Sequence, residues 1–245
     1  MKYILLLIFI SITSLSYADI KVAVAANVSY AIDDLIKEFN KTNPKTKVTI
    51  TLGSSGKLTA QISNGAPYDL FMSANMKYPN KLYEKKLTSS KPAVYAQGSL
   101  ALFSIKNLDF SKGIELLKYS EISRIAVANP KTAPYGKAAF EAFKNANLLE
   151  DIKSKFVYGE SVSQTLSYTV TATDIGVVAK SSLYSPQLTM YKKGINWVEV
   201  DSKLYTPIDQ GVVMIKNSSE AKAFYDFILS QSAKKIFKNY GYKTE

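Results

Sequence analysis

Lys47-Val-Thr-Ile-Thr-Leu-Gly-Ser-Ser-Gly-Lys-Leu-Thr-Ala-Gln-Ile62 reads as strand, turn and helix in succession. Val48, Ile50 and Leu52 alternate with Thr49 and Thr51, the period of two expected of a strand. Gly53-Ser54-Ser55-Gly56 interrupts it. Leu58 and Ile62 then fall at i and i+4, with Gly65 as a stop, which predicts a short helix. The two serines therefore sit where a helix opens. Such a turn leaves backbone N–H groups unpaired and aims the positive end of the helix dipole at whatever lies before it. Serine hydroxyls beside those amides can donate as well. The stretch fits an anion site; the plainer alternative is that Ser55 only caps the helix.

The same plan stands just upstream. Ile20 to Ala25 is an apolar strand, Ala26-Asn27-Val28-Ser29 a turn, and Ile32, Leu35, Ile36 and Phe39 mark an amphipathic helix that stops near Asn43-Pro44. Two consecutive βα units predict a parallel sheet, whose ligand crevice lies at the carboxyl ends of its strands. Asn27 and Ser55 each fall at such an end. Asn27 is equally well read as a turn residue.

Farther on, a strand ending at Ser73-Ala74 precedes a helix over 79–87, and an apolar extended stretch from Ala93 to Ile105 is broken at Gln97-Gly98. A brief helix is expected over 114–119. Ile125 to Ala128 is a strand that runs into Asn129-Pro-Lys-Thr-Ala-Pro-Tyr-Gly136, after which Ala138, Ala139, Phe140 and Phe143 are helical. Tyr135 lies at that helix start, and its turn-forming neighbours Pro134 and Gly136 predict a partly exposed ring. Phe156 and Val157 make a short strand, then Ser161 and Gln164 have capping-box spacing, making Val162 the first helical residue with a free N–H. Asp174 to Ala179 and Gly211 to Ile215 read as further strands, with an edge strand over 197–200 and two closing helices.

Composition removes several functions. The 245-residue chain has no Cys and no His. Disulfides, a lipidated cysteine, the common zinc sites, His-based triads and thiol nucleophiles are therefore excluded. The formal charge of +11 invites a nucleic-acid reading, but the lysines are scattered and Arg124 is the only Arg in the sequence. Readers of phosphate and bases favour the Arg fork, so the lysines are read as solvated surface. Met1-Lys2, the apolar run from Tyr3 to Ile12 and Ser16-Tyr17-Ala18 make a secretory signal over residues 1–18, with an exported, soluble chain starting at Asp19.

Four helix starts could converge on one small anion. A fully ionised tetrahedral oxyanion has only acceptors, so its ideal cage supplies donors: backbone N–H, Ser hydroxyl, Asn amide, Tyr hydroxyl. The turns hold no Asp, and Glu160 is their only Glu. Gly53 to Lys57 resembles part of a nucleotide P-loop, but Thr51 and Leu58 stand where that pattern needs Gly and Ser or Thr.

Val-Ala-Val-Ala-Ala-Asn-Val-Ser-Tyr-Ala31, Gly-Ser-Ser-Gly-Lys-Leu-Thr-Ala-Gln-Ile62, Gly-Ala-Pro-Tyr-Asp-Leu-Phe-Met-Ser-Ala74 and Ile-Phe-Lys-Asn-Tyr-Gly-Tyr242 together resemble the periplasmic molybdate-binding proteins of ATP-driven transporters, in the same order from about Ile20 to Tyr242. The resemblance implies an α/β, two-lobed periplasmic binding protein, each lobe a mainly parallel sheet flanked by helices, with ligand in the interlobe cleft. It implies capture of molybdate or tungstate without catalysis or cofactor, and delivery to a membrane permease. On the family's pattern the ligand residues are Asn27, Ser55, Tyr135 and Val162, with Ser29, Ser54 and Ala179 as secondary candidates. Some members carry a Tyr where this chain has Ala179, so Tyr135 is expected to supply the phenol. Lobe 1 is expected over 19–95 plus 209–245 and lobe 2 over 96–208, with crossovers near 95–99 and 205–210, in a monomer with no nucleic-acid partner and no free cation site. The alternatives are a binder of another ligand, such as sulfate or iron (no adjacent Tyr-Tyr pair suggests iron), and a hydrolase using Ser55 and Lys57.

Overall fold

The computed structural model describes residues 18–244. The expected signal lies outside that range except for Ala18, the first residue of β1. The elements run β1 (Ala18–Ala25), α1 (Ile32–Asn40), β2 (Thr46–Gly53), α2 (Ser55–Ser63), β3 (Leu70–Ser73), α3 (Lys77–Glu84), β4 (Ala93–Gly98) and β5 (Leu100–Phe103). They continue with β6 (Ile125–Ala128), α4 (Pro134–Asn145), α5 (Leu149–Ile152), β7 (Phe156–Gly159), α6 (Val162–Thr171), β8 (Ile175–Ala179), β9 (Trp197–Glu199), β10 (Ile208–Met214), α7 (Ser219–Ile228) and α8 (Gln231–Asn239). A 3-10 turn over Ala26–Val28 follows β1.

These strands make two sheets, ordered β2-β1-β3-β10-β4 and β7-β6-β8-β5-β9. The wiring is the same in both. A central strand (β1 or β6) pairs in parallel with the two that follow it in sequence. One strand of reversed direction, β10 or β5, is then inserted before the edge. The parallel part follows from the βα repeats. The reversed strands do not, because each reaches its place by crossing from the other sheet: only Ser99 separates β4 from β5, and the chain returns between Glu199 and Ile208. Gly98 pairs with Ile208 in the first sheet, so the sheet-to-sheet step comes at Ser99, after residues 96–98 have paired there. Trp197–Glu199 is an edge strand, as its sequence suggests.

Alternation along the strands sorts side chains between two layers. In the first sheet Ile20, Val22, Val24, Leu70, Met72 and Val212 pack with α1, α7 and α8, where Phe39 meets Phe224 edge-on at 5.0 Å. Ala23, Phe71 and Val213 point the other way, onto Leu58 and Ile62 of α2 and Leu82 of α3. In the second sheet Ile125, Val127, Ile175 and Val177 meet Ala139, Ala142 and Phe143 of α4. Ala101, Phe103 and Val178 meet Leu166 of α6 on the opposite face. Each sheet is thus sandwiched by helices, which leaves the strand ends, not the faces, open for function. Among the described residues no helix is long and apolar enough to cross a membrane.

Candidate functional site

In each sheet the two adjacent parallel strands end level. Ala25 of β1 is in register with Gly53 of β2, and Ala128 of β6 with Gly159 of β7. The turns after these four strands face one another across a cavity of ≈ 10 Å³ for the centre of a water-sized sphere. The first sheet lines it with Ala25, Ala26 and Asn27, with Gly53, Ser54 and Ser55, and with Ala74. The second contributes Ala133, Pro134 and Tyr135, and Ser161 and Val162. Asn27, Ser55, Tyr135 and Val162 therefore share one small space. No charged side chain lines it.

The two serines divide their work differently from the expectation. Ser54, not Ser55, is the N-cap of α2: its backbone is extended and its Oγ accepts from Lys57 N at 3.4 Å. Ser54 Oγ also donates to Glu160 Oε1 at 2.9 Å, across to the second sheet's turn. Ser55 is the first helical residue. It is buried, and its Oγ accepts the Ala74 amide at 2.9 Å, so its own hydrogen remains to be donated. Lys57 is exposed, whereas Ser55 is buried.

Tyr135 is buried, at 2% exposure, where partial exposure was expected. Pro134 and Gly136 are not loop residues here. Proline takes the first helical position, where it costs no hydrogen bond, so α4 begins at Pro134 and draws the ring inward. Gly136 then lets the helix lie against β6: an added Cβ would sit 2.2 Å from Ala128 O. The phenol reaches the start of the sheet-to-sheet step, since a Cβ on Gly98 would lie 2.0 Å from its oxygen. The Tyr135 hydroxyl is buried beside the Asn27 side chain, and among the described residues no partner meets hydrogen-bond geometry with it. Burial first, then the neighbouring phenols of Tyr242, Tyr95 and Tyr205, push its pKa well above 10 against a smaller opposing effect of the Asn27 side chain, so it stays neutral.

Val162 opens α6 behind its cap: Ser161 Oγ accepts Gln164 N at 3.3 Å. Gln164 reaches back to the Glu160 amide at 2.7 Å. The first-turn amides of Ser55, Tyr135 and Val162 find no acceptor among the described residues. Together they form a nest of N–H groups at helix N-termini, which favours negative charge.

Asn27 is fixed by residues that the sequence patterns do not place at the site. Its Nδ2 donates to Gln210 Oε1 and to the Tyr242 hydroxyl, both at 2.8 Å. Tyr242 in turn donates to the Asn27 carbonyl at 2.8 Å, and Ser181 Oγ donates to the same carbonyl at 3.1 Å. The secondary candidates fall apart. Ser54 lines the cavity, whereas Ser29 meets Ser163 Oγ at 3.4 Å and Ala179 is a buried strand end; neither lines it.

Residues 20–243 match the family model described as bacterial extracellular solute-binding protein. The chain belongs to that family. Its relatives include the molybdate-binding protein ModA of Azotobacter vinelandii, 35% identical over 92% of this chain and 90% of that one. ModA of Rhodobacter capsulatus is 34% identical over 91% of this chain and 87% of its own. Among solved structures, the periplasmic molybdate-binding protein of Azotobacter vinelandii superimposes with a TM-score of 0.84 at 31% identity, covering 92% of this chain and 99% of that one.

Proposed function

We propose that this protein captures molybdate, and tungstate with it, in the periplasm and delivers it to the membrane permease of an ATP-driven transporter. The observation that carries the reading is a cavity ringed by free helix-start amides, with the buried, neutral Tyr135 hydroxyl beside the Asn27 side chain and without a well-aligned partner among the described residues. A fully ionised tetrahedral dianion supplies the acceptors these groups lack. Ser55 and Tyr135 would donate through hydroxyl and backbone, Val162 and Asn27 through backbone N–H. The kinship with molybdate-binding proteins across nearly the whole chain supports the same ligand. The two sheets with their helices act as two lobes that close on the ion, because donors from both sheets are needed to surround it; the division falls at Ser99 and before Ile208, a few residues from the expected 95/96 and 208/209.

Calorimetry with a panel of oxyanions tests this. Molybdate and tungstate should bind tightly, and sulfate and phosphate weaker by several orders of magnitude, with cavity size making the difference from sulfate. Sulfate competing at equal concentration would overturn it. Small-angle scattering should show compaction when molybdate is added; an unchanged envelope would mean that the cleft is preformed.

A further inference from the structure

Gln210 and Tyr242 lie far from the four turns in sequence, yet they decide what Asn27 can offer. Gln210, on β10, is fully buried, and Tyr242, after α8, nearly so. Gln210 Nε2 donates to two carbonyls, Ala74 O at 3.3 Å and Ile208 O at 2.8 Å. Both of its hydrogens are therefore committed, and Oε1 is the end left for Asn27. An oxygen there must be met by a donor, which makes the facing Asn27 atom Nδ2. Tyr242 has a single hydroxyl hydrogen, and it goes to the Asn27 carbonyl. Its oxygen can then only accept from Asn27, and does so from Nδ2. Both hydrogens of the Asn27 amide are thus held by protein, and its Oδ1 is buried on the side of the Tyr135 hydroxyl with no well-aligned partner among the described residues.

We propose that Gln210 and Tyr242 are positioning residues for oxyanion capture: they lock the Asn27 side chain as a strut, so that Asn27 serves the ligand through the backbone N–H of its turn and not through its side-chain amide. This rests on the oxyanion reading of the cavity. The strut ties the turn after β1 to the strand returning from the second sheet and to the C-terminal segment, whose Lys243 pairs with Gln97 of β4. Ser181, reaching in from beyond β8, holds the same Asn27 carbonyl. The turn that presents amides to the ligand is thereby fixed by groups from both ends of the lobe-to-lobe connection.

Nuclear magnetic resonance of the unliganded protein tests the lock without any ligand. Both Asn27 side-chain NH₂ protons should be protected from solvent exchange, and Tyr242→Phe, which keeps the ring's edge-on contact with Phe237, should remove much of that protection. Fast exchange in the wild type would overturn the lock. On adding molybdate, the backbone amides of Ser55, Tyr135 and Val162 should shift while the Asn27 NH₂ signals stay; movement of those signals as large as the amides' would show a side-chain ligand instead. In binding, Tyr242→Phe should weaken molybdate roughly tenfold, as expected for a lost hydrogen bond, and should cause no further loss in an Asn27→Ala background. Additive losses would mean that Tyr242 acts on stability or on another group, and overturn its role through Asn27. A wild type that binds no oxyanion would refute the functional reading while leaving the exchange experiment to judge the lock.

Discussion

The two sheets are wired alike but equip the cavity differently. Each lends it one side-chain hydroxyl, Ser55 from the first and Tyr135 from the second, and the first adds a turn held by a polar network, Asn27 with Gln210 and Tyr242. The second lends it helix starts pressed close to strand ends. Gly136 lets α4 approach Ala128, and Gly159 lets the α6 start approach β7, where an added Cβ would be 2.7 Å from Thr165 Oγ1. The corresponding glycine of the first sheet, Gly53, has nothing nearer than the Leu58 side chain at 3.4 Å. The strand ends therefore differ in how tightly the helix start is pressed on its own strand, although at Gly56 the first sheet's α2 also lies close to backbone, with an added Cβ 2.9 Å from Thr132 O of the opposite turn.

The largest effect is expected at Gly136. Its Cβ would meet backbone atoms that cannot turn aside, so Gly136→Val should lift the start of α4, abolish oxyanion binding and lower stability by about 3 kcal/mol. Gly53→Ala should cost less than about 1 kcal/mol, because the neighbour is a flexible side chain. Thermal melting and calorimetry on the pair would check this; equal losses would erase the distinction between the sheets.

Next come the hydroxyls. Ser55→Ala removes one charge-assisted hydrogen bond, about 1.5–3 kcal/mol, and should weaken molybdate ~10- to 100-fold. Tyr135→Phe should cost a comparable factor from the opposite side, with both proteins still folded. If Tyr135→Phe binds like wild type, the phenol is packing and the second sheet contributes amides alone.

The phenols also set the pH response. Burial raises the pKa of Tyr95, Tyr135 and Tyr242 above 10. A folded-state pKa above the unfolded value leaves stability intact below about pH 10 and lowers it as pH rises beyond. Denaturant melts should therefore change little on this account from pH 6 to 9 and weaken steeply above about 10. A decline centred near neutrality would assign the response to other groups.

The smallest effect is expected at Val162, which offers its N–H and not its side chain. Val162→Ala should change affinity by less than about threefold, under 1 kcal/mol. A larger loss would mean that its side chain shapes the cavity. Salt should also matter little, since the cavity has no charged lining and is shielded from the lysine-rich surface.

The sequence by itself determined the units and where their chemistry lies. Alternation in Val48 to Leu52, spacing in Leu58 and Ile62, and the cap at Ser161 are local signals, with periods set by backbone geometry, and they place Asn27, Ser55 and Val162 at strand ends. The missing His and Cys excluded whole classes of chemistry without any structure. Only the tertiary structure decided what those ends meet. Tyr135 looked like a loop residue because Pro134 and Gly136 mark turns as readily as helix starts, and only packing against β6 made the glycine a close-approach site. Gln210 carries no local signal, and Tyr242, although it closes one of the family-like stretches, gives no local hint of its partner, since they reach Asn27 from 183 and 215 residues away. The division between Ser54 as cap and Ser55 as donor followed from the Ala74 amide and Glu160, both supplied by other turns. Local pattern fixes an element because its hydrogen bonds are short-range in sequence; a cavity is fixed by contacts between elements, which the pattern of any one of them does not record.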